Sequence, residues 1–197
     1  MPFRTAFLAV FLAFAVSAAP GAVESRQAAD ALSKKIAAIT QRGNEARDGG
    51  APASVTLTQD ELNSWFLFRS ARYLPAGVTK PSVSLIGGGS MRGTATLDLD
   101  AVARKRSGNP LDPLSYVFGR VPVTVTGTLH ARNGMGRFDV QSAELANIPI
   151  PKTILQELLS YYAASPEQEG IRLDDPFALP ANIQRIDVAP GQMVVVQ

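Results

Sequence analysis

The chain has 197 residues, carries a formal net charge of +2 at pH 7, and contains no cysteine and a single histidine, His130. Disulfide staples, thiol nucleophiles and the usual His/Cys zinc centres are therefore excluded, and so near-neutral a balance leaves no electrostatic footprint for nucleic acid. At this length one well-buried core is the expectation.

Met1 to Arg4 is a short positive start, Thr5 to Ala15 an apolar run, and Val16-Ser17-Ala18 a small-residue cleavage pattern, so residues 1–18 read as an export signal. The apolar run falls short of the roughly 20 residues that span a bilayer. An uncleaved anchor is the alternative, and a lipoprotein anchor is excluded because no Cys ends the leader. The expected location is a Gram-negative periplasm, with secretion left open. Residues 19–53 read as an N-terminal helix, Ser25 to Arg42, followed by a flexible linker at Asp48-Gly49-Gly50-Ala51-Pro52. The compact domain, 54–197, is expected to begin near Val55.

A short strand at Val55-Thr56-Leu57 leads into Thr58-Gln59-Asp60-Glu61, a capping box in which Thr58 caps the helix and Glu61 reaches back. The helix is expected from Gln59 to Leu74 and is apolar nearly all the way round. Leu62, Phe66 and Tyr73 share one face, Leu67, Ala71 and Leu74 a second, and Trp65 and Phe68 lie between. Such a helix should be covered on more than one side, by protein or by an apolar ligand.

Two hairpins follow. Pro81 to Ile86 turns through Gly87-Gly88-Gly89 into a strand expected from Met91 to Ala103, whose odd positions are apolar or Gly. This register sets Leu85 opposite Met91 and Val83 opposite Gly93. The second hairpin, Val121 to Leu129, turns at Asn133-Gly134, sets Leu129 against Phe138 and Gly127 against Val140, and requires a β-bulge near Ser142-Ala143. After Ile148-Pro149-Ile150-Pro151 comes a helix, Lys152 to Ala163, whose broad apolar face holds Ile154, Leu155, Leu158, Leu159, Tyr161 and Tyr162. Ile183 to Val188 and Met193 to Val196 close the chain as strands. The fold class is α+β: a long, curved antiparallel sheet presenting one apolar face to two helices.

Catalytic chemistry is sparse. Alternation places His130 on the polar face beside Thr128 and Arg132, and Asp98 and Asp100 on the outer face of one strand, where a solvated surface needs charges in any case. Asp174-Asp175 before Pro176 is a turn signal, and Gly87-Gly88-Gly89 opens no helix that could hold phosphate. No motif implies a cofactor or a metal, and a non-enzymatic role is expected.

What remains is apolar surface. Gly93, Ala95, Ala101 and Gly127 leave room on the inner sheet face, to be filled either by the helices or by an acyl chain. The positions such a chain would touch are Leu62, Trp65 and Phe66 on the first apolar helix and Leu155, Leu158, Leu159 and Tyr162 on the second. On the sheet they are Leu97, Leu99, Val125, Leu129, Phe138 and Val140. The loop carrying Arg104, Lys105 and Arg106 is the candidate headgroup contact for transient binding to an anionic membrane. An envelope adaptor with a filled core and exposed strand edges is the competing expectation, its protein partner unspecified.

The strings "LTQDELN", "GTATLDLD", "NIPIPKTILQELL" and "LPANIQRIDVAPGQMVVV", spread over roughly Val55 to Val196, resemble the YpmS-like and LmeA-like bacterial envelope proteins. These are similar in turn to the tubular lipid-binding superfamily, in which a curved sheet wraps a long helix and encloses lipid. The resemblance implies that Leu62, Trp65, Phe66, Leu155, Leu158 and Leu159 face an apolar interior, and it carries no catalytic residues. A cleavable leader departs from the members that keep an N-terminal anchor.

Overall fold

A computed structural model describes residues 24–45, 52–75, 77–100, 119–163 and 172–197, the side chains of 161–163 apart. The leader 1–18, the loop bearing Arg104, Lys105 and Arg106, and the Tyr162 side chain lie outside the described residues. Among those residues the fold is α+β, with three α-helices and one open antiparallel sheet of nine strands.

Helix α1 (Arg26–Asn44) starts where the Ser25 hydroxyl accepts the Ala28 N–H at 3.0 Å, relieving one of the donors a helix start leaves unpaired. Its Ala29, Leu32 and Ile39 are buried, the latter two in a cluster with Leu57, Ile183 and Val195. Lys35 Nζ donates to the Thr56 carbonyl at 2.7 Å, and Gln197 Nε2 to the Ile39 carbonyl at 2.8 Å. The compact unit thus begins with α1 and not near Val55. A Gly-rich connection marks a turn in the chain without saying whether the elements on either side pack together.

Strand β1 (Ser54–Thr58) runs into α2 (Gln59–Phe68) through the full capping box: Thr58 Oγ1 accepts the Glu61 N–H at 3.2 Å, and Glu61 Oε2 accepts the Thr58 N–H at 2.9 Å. The helix stops at Phe68, six residues before the expected Leu74. Ser70 Oγ donates to the Phe66 carbonyl at 2.5 Å, a side-chain competitor for a helical acceptor, and the chain tightens into a 3₁₀ turn at Ser70–Arg72. Its apolar faces are not all covered either, since Leu67 is 58% and Tyr73 61% exposed.

Strands β2 (Val78–Gly87) and β3 (Ser90–Asp98) pair with Val83 opposite Gly93 and Leu85 opposite Met91, as the glycine turn predicts. β3 ends at Asp98 rather than Ala103. Asp100 Oδ1 accepts the Gly119 N–H at 2.8 Å and the Leu99 N–H donates to the Gly119 carbonyl at 2.9 Å, so the chain leaves the strand and Asp98 and Asp100 share no strand face.

Strands β4 (Arg120–Arg132) and β5 (Met135–Leu145) set Leu129 against Phe138 and Gly127 against Val140. Their turn uses Asn133 at φ 53° and Gly134 at φ 76°, the left-handed pair of a type I′ hairpin. The bulge falls at Gln141, one residue ahead of Ser142: Thr126 pairs with Ser142 and the next residue, Gly127, with Val140. Then come β6 (Ile148–Pro149), α3 (Lys152–Ala163), β7 (Phe177–Ala178), β8 (Arg185–Ala189) and β9 (Gln192–Val196).

The sheet order is β1-β9-β8-β4-β3-β2, with β5 on the other side of β4. β4 pairs with β3 from Arg120 to Thr128 and reaches β8 at Arg132, so it joins two smaller sheets along one edge. A core forms at each end. Leu155 and Leu158 of α3 pack on Leu97, Leu99, Val123, Val140, Ala143 and Leu145. The α1–α2 pair packs on β1, β8 and β9, with a third cluster of Val83, Leu85 and Val188 beside Leu62 and Phe66.

Candidate apolar binding face

The expected contact residues do not meet in one place. Leu97, Leu99, Val125, Phe138, Val140, Leu155 and Leu158 belong to the α3 end, whereas Leu62, Trp65, Phe66 and Leu129 belong to the α1–α2 end. Leu159 is half-buried on α3. α2 and α3 share no apolar cluster among the described residues; the helix packed along α2 is α1, whose Leu32 was not among the expected contacts. Leu155 and Leu158 are buried to 6% and 2% exposure, so they are packed core.

Between the two ends lies a seam. Met91, Gly93, Ala95, Val125, Leu129 and Phe138 on the inner face are half-buried, flanked by fully buried side chains on either side. Gly93 sits on it, with Val83 of the α2-end cluster across one ladder and Val125 of the α3-end cluster across the other. No described atom comes within 4 Å of where a Cβ at Gly93 would be. Gly127 differs, because a Cβ there would meet the Phe138 ring at 2.7 Å and the Asp139 carbonyl at 2.5 Å. Of the small residues expected to leave room, Gly127 is thus filled, Ala95 packs against the α3-end cluster, Gly93 is open among the described residues, and Ala101 lies outside them.

Residues that position this face include two that sequence reasoning passed over. Asn63 takes the Val83 N–H on Oδ1 at 2.8 Å and donates Nδ2 to the Val83 carbonyl at 3.0 Å; Gln59 Oε1 accepts the Leu85 N–H at 2.7 Å. The Gly191 N–H donates to the Leu85 carbonyl at 2.9 Å. β2 is the sheet's terminal strand, and two side-chain amides spaced i and i+4 on α2 occupy backbone groups that an edge would leave open. Their signal in the sequence is two side-chain amides, Gln59 and Asn63, one helical turn apart on a helix that is otherwise largely apolar. Ser64, fully buried, accepts the Ser25 N–H at 3.1 Å and fixes where α1 enters.

Electrostatics are local and mostly superficial. Burial pushes the Glu61 carboxyl up, but the Lys35 ammonium, with Nζ 2.7 Å from Oε2, and the Thr58 amide and hydroxyl outweigh it, so Glu61 titrates below its ordinary value. His130 lies on the outer face, its Nε2 3.1 Å from Asp139, which also receives Arg137 at 2.8 Å; His130 is exposed and Asp139 half-buried. Where β4 passes from β3 to β8, an outer hollow of about 260 Å³ is lined by Gly88, Gly89, Thr128, His130, Arg132 and Asp187. Its charges are engaged with one another, Arg132 and Arg185 both on Asp187 at 3.2 and 2.7 Å. Among the described residues no group of three or more His, Asp or Glu could hold a metal ion, and no helix is long and apolar enough to cross a membrane.

Compared with protein-family models, with curated proteins and with solved structures, the chain finds no match in any of the three.

Proposed function

We propose that the protein is an exported periplasmic carrier that holds an apolar chain, such as the acyl chain of a lipid, on the inner face of its sheet without covalent chemistry. The observation that supports this is the seam: half-buried apolar side chains around an open Gly93, between two packed ends. The superfamily resemblance points the same way, toward a sheet curved around a helix and a lipid. An apolar chain laid over Gly93 would cover Val125, Phe138 and Met91 and join the two cores. Each buried CH₂ contributes about 0.8 kcal/mol, so about 16 carbons gain on the order of 10 kcal/mol gross. Immobilisation costs several kcal/mol of this, which leaves micromolar binding.

The test is calorimetric titration of delipidated protein with palmitate. Wild type should bind, and Gly93→Leu, which fills the open space, should weaken binding at least about tenfold while the fold stays intact, since a strand glycine costs about 0.5–1 kcal/mol relative to alanine. No binding by wild type, or equal binding by Gly93→Leu, would overturn the assignment.

The adaptor reading has one observation of its own. Among the described residues, β5 is covered along its outer edge only at its ends, by β7 at Met135 and Gly136 and by β6 at Glu144 and Leu145, beside the exposed side chains of Met135, Phe177 and Ile148. A partner strand would pair with the stretch between.

A further inference from the structure

We propose that the hollow on the outer face of the sheet, where β4 leaves β3 for β8, binds a phosphate group, free or esterified. The split between strands makes the hollow. β4 pairs with β3 as far as Thr128 and with β8 only at Arg132, so on that side the stretch around His130 pairs with neither strand. The glycine turn bridges the gap: the Gly89 N–H donates to the Val188 carbonyl of β8 at 3.3 Å, and its carbonyl accepts the Leu129 N–H of β4 at 2.9 Å. Both walls are therefore regular strand, fixed before any ligand arrives.

The side chains here run against good strand pairing. Residues directly opposite on neighbouring strands share a face, and like charges placed there repel. Arg132 stands opposite Arg185 of β8, and two residues earlier on the same face His130 stands opposite Arg137 of β5. Two consecutive outer positions of β4 thus set base against base. Asp187 and Asp139 offset this only in part, because each is shared: Arg132 and Arg185 meet Asp187 at 3.2 and 2.7 Å, and Arg137 and His130 meet Asp139 at 2.8 and 3.1 Å. Among the described residues these six are all the ionisable side chains that line the hollow or are linked to it by ion pairs, and three arginines less two carboxylates leave +1 with His130 neutral. A local conflict of this kind is expected at a functional site rather than on plain surface. Phosphate resolves it. Arg132 spends one N–H on Asp187, which leaves the rest of its donor fork for an oxyanion, and its side chain is 67% exposed. Thr128 Oγ1 accepts Gln141 Nε2 at 3.0 Å, leaving its own proton for Ser90, at 3.4 Å, or for a ligand. A phosphate group has the charge and the acceptor oxygens to take both arginines and the hydroxyl at once, whereas a carboxylate repeats what Asp187 already supplies. The hollow and Gly93 lie on opposite faces of the sheet, so the proposal stands independently of the lipid-carrier reading.

The test is calorimetric titration and thermal unfolding of the full chain with inorganic phosphate and with glycerol phosphate, at an ionic strength held constant with chloride. At least one of the two should bind saturably and raise the Tm, as a ligand of the folded state does by mass action, while acetate at the same concentration should not. Tighter binding of glycerol phosphate identifies an ester, such as a lipid headgroup, as the source of the group, and tighter binding of inorganic phosphate identifies the free ion. Arg132→Gln and Arg185→Gln should each weaken binding at least about tenfold. Both should nevertheless unfold at the wild-type temperature in phosphate-free buffer, because an exposed ion pair contributes little and the repulsion opposite it is removed as well. Arg120→Gln, at the far end of β4, should bind as wild type does. Circular dichroism verifies that each variant is folded. No saturable binding of either phosphate, an equal response to acetate, or wild-type binding by folded Arg132→Gln would each overturn the proposal. So would a lowered Tm of both arginine variants with binding unchanged, which marks the two as a structural pair.

Discussion

Glu61 does three things at once: it caps α2 through the Thr58 N–H, pairs with Lys35 of α1, and thereby ties two helices together. Because its folded pKa is depressed, its contribution is present above the ordinary carboxyl range and disappears as pH falls through the lower folded value. Glu61→Gln should therefore cost about 1–2 kcal/mol at pH 7, and the gap to wild type should close on acidification, as read from urea unfolding midpoints. Asn63→Leu is the harsher change, since it strands the Val83 N–H and carbonyl, and a loss of about 2–3 kcal/mol is expected. By contrast, His130→Ala removes only an exposed pair with Asp139 and should shift stability by less than about 0.5 kcal/mol. The capping box was readable because its two partners are three residues apart. Asn63 was not, because its partner Val83 lies twenty residues on and only the pairing of α2 with β2 brings them together.

At the scale of elements, local signals fared best. The two hairpin registers follow from turn length and alternation, and Leu85 opposite Met91 and Leu129 opposite Phe138 were both legible. Element ends were less so, because Ser70 takes the Phe66 carbonyl and Asp100 takes the Gly119 N–H, side-chain bonds that periodicity does not show. The place of α1 was also hidden: Leu32 sits on a visible apolar stripe, yet its partners Leu57 and Val195 come from opposite ends of the domain. Leu32→Ala should cost about 2–4 kcal/mol, as a buried core truncation does. A loss under about 0.5 kcal/mol in thermal or urea unfolding would instead mark α1 as a loosely attached arm.

For the whole molecule, the sequence pointed to one apolar interior between two helices, and the structure divides it into two packed ends joined by a half-covered seam. The helical wheels could not show this, because they say which faces are apolar and not which elements share a cluster. Gly93, a small residue on an apolar face, is where no described atom fills the space between the two ends. The central claim is that this space holds an apolar chain. Native mass spectrometry of the protein isolated without detergent from the cells that make it tests it most directly. The account predicts an added mass of a lipid, released by organic extraction and missing from Gly93→Leu purified alongside. Only the bare mass of the chain in the wild type, or the same lipid adduct in both proteins, would contradict it.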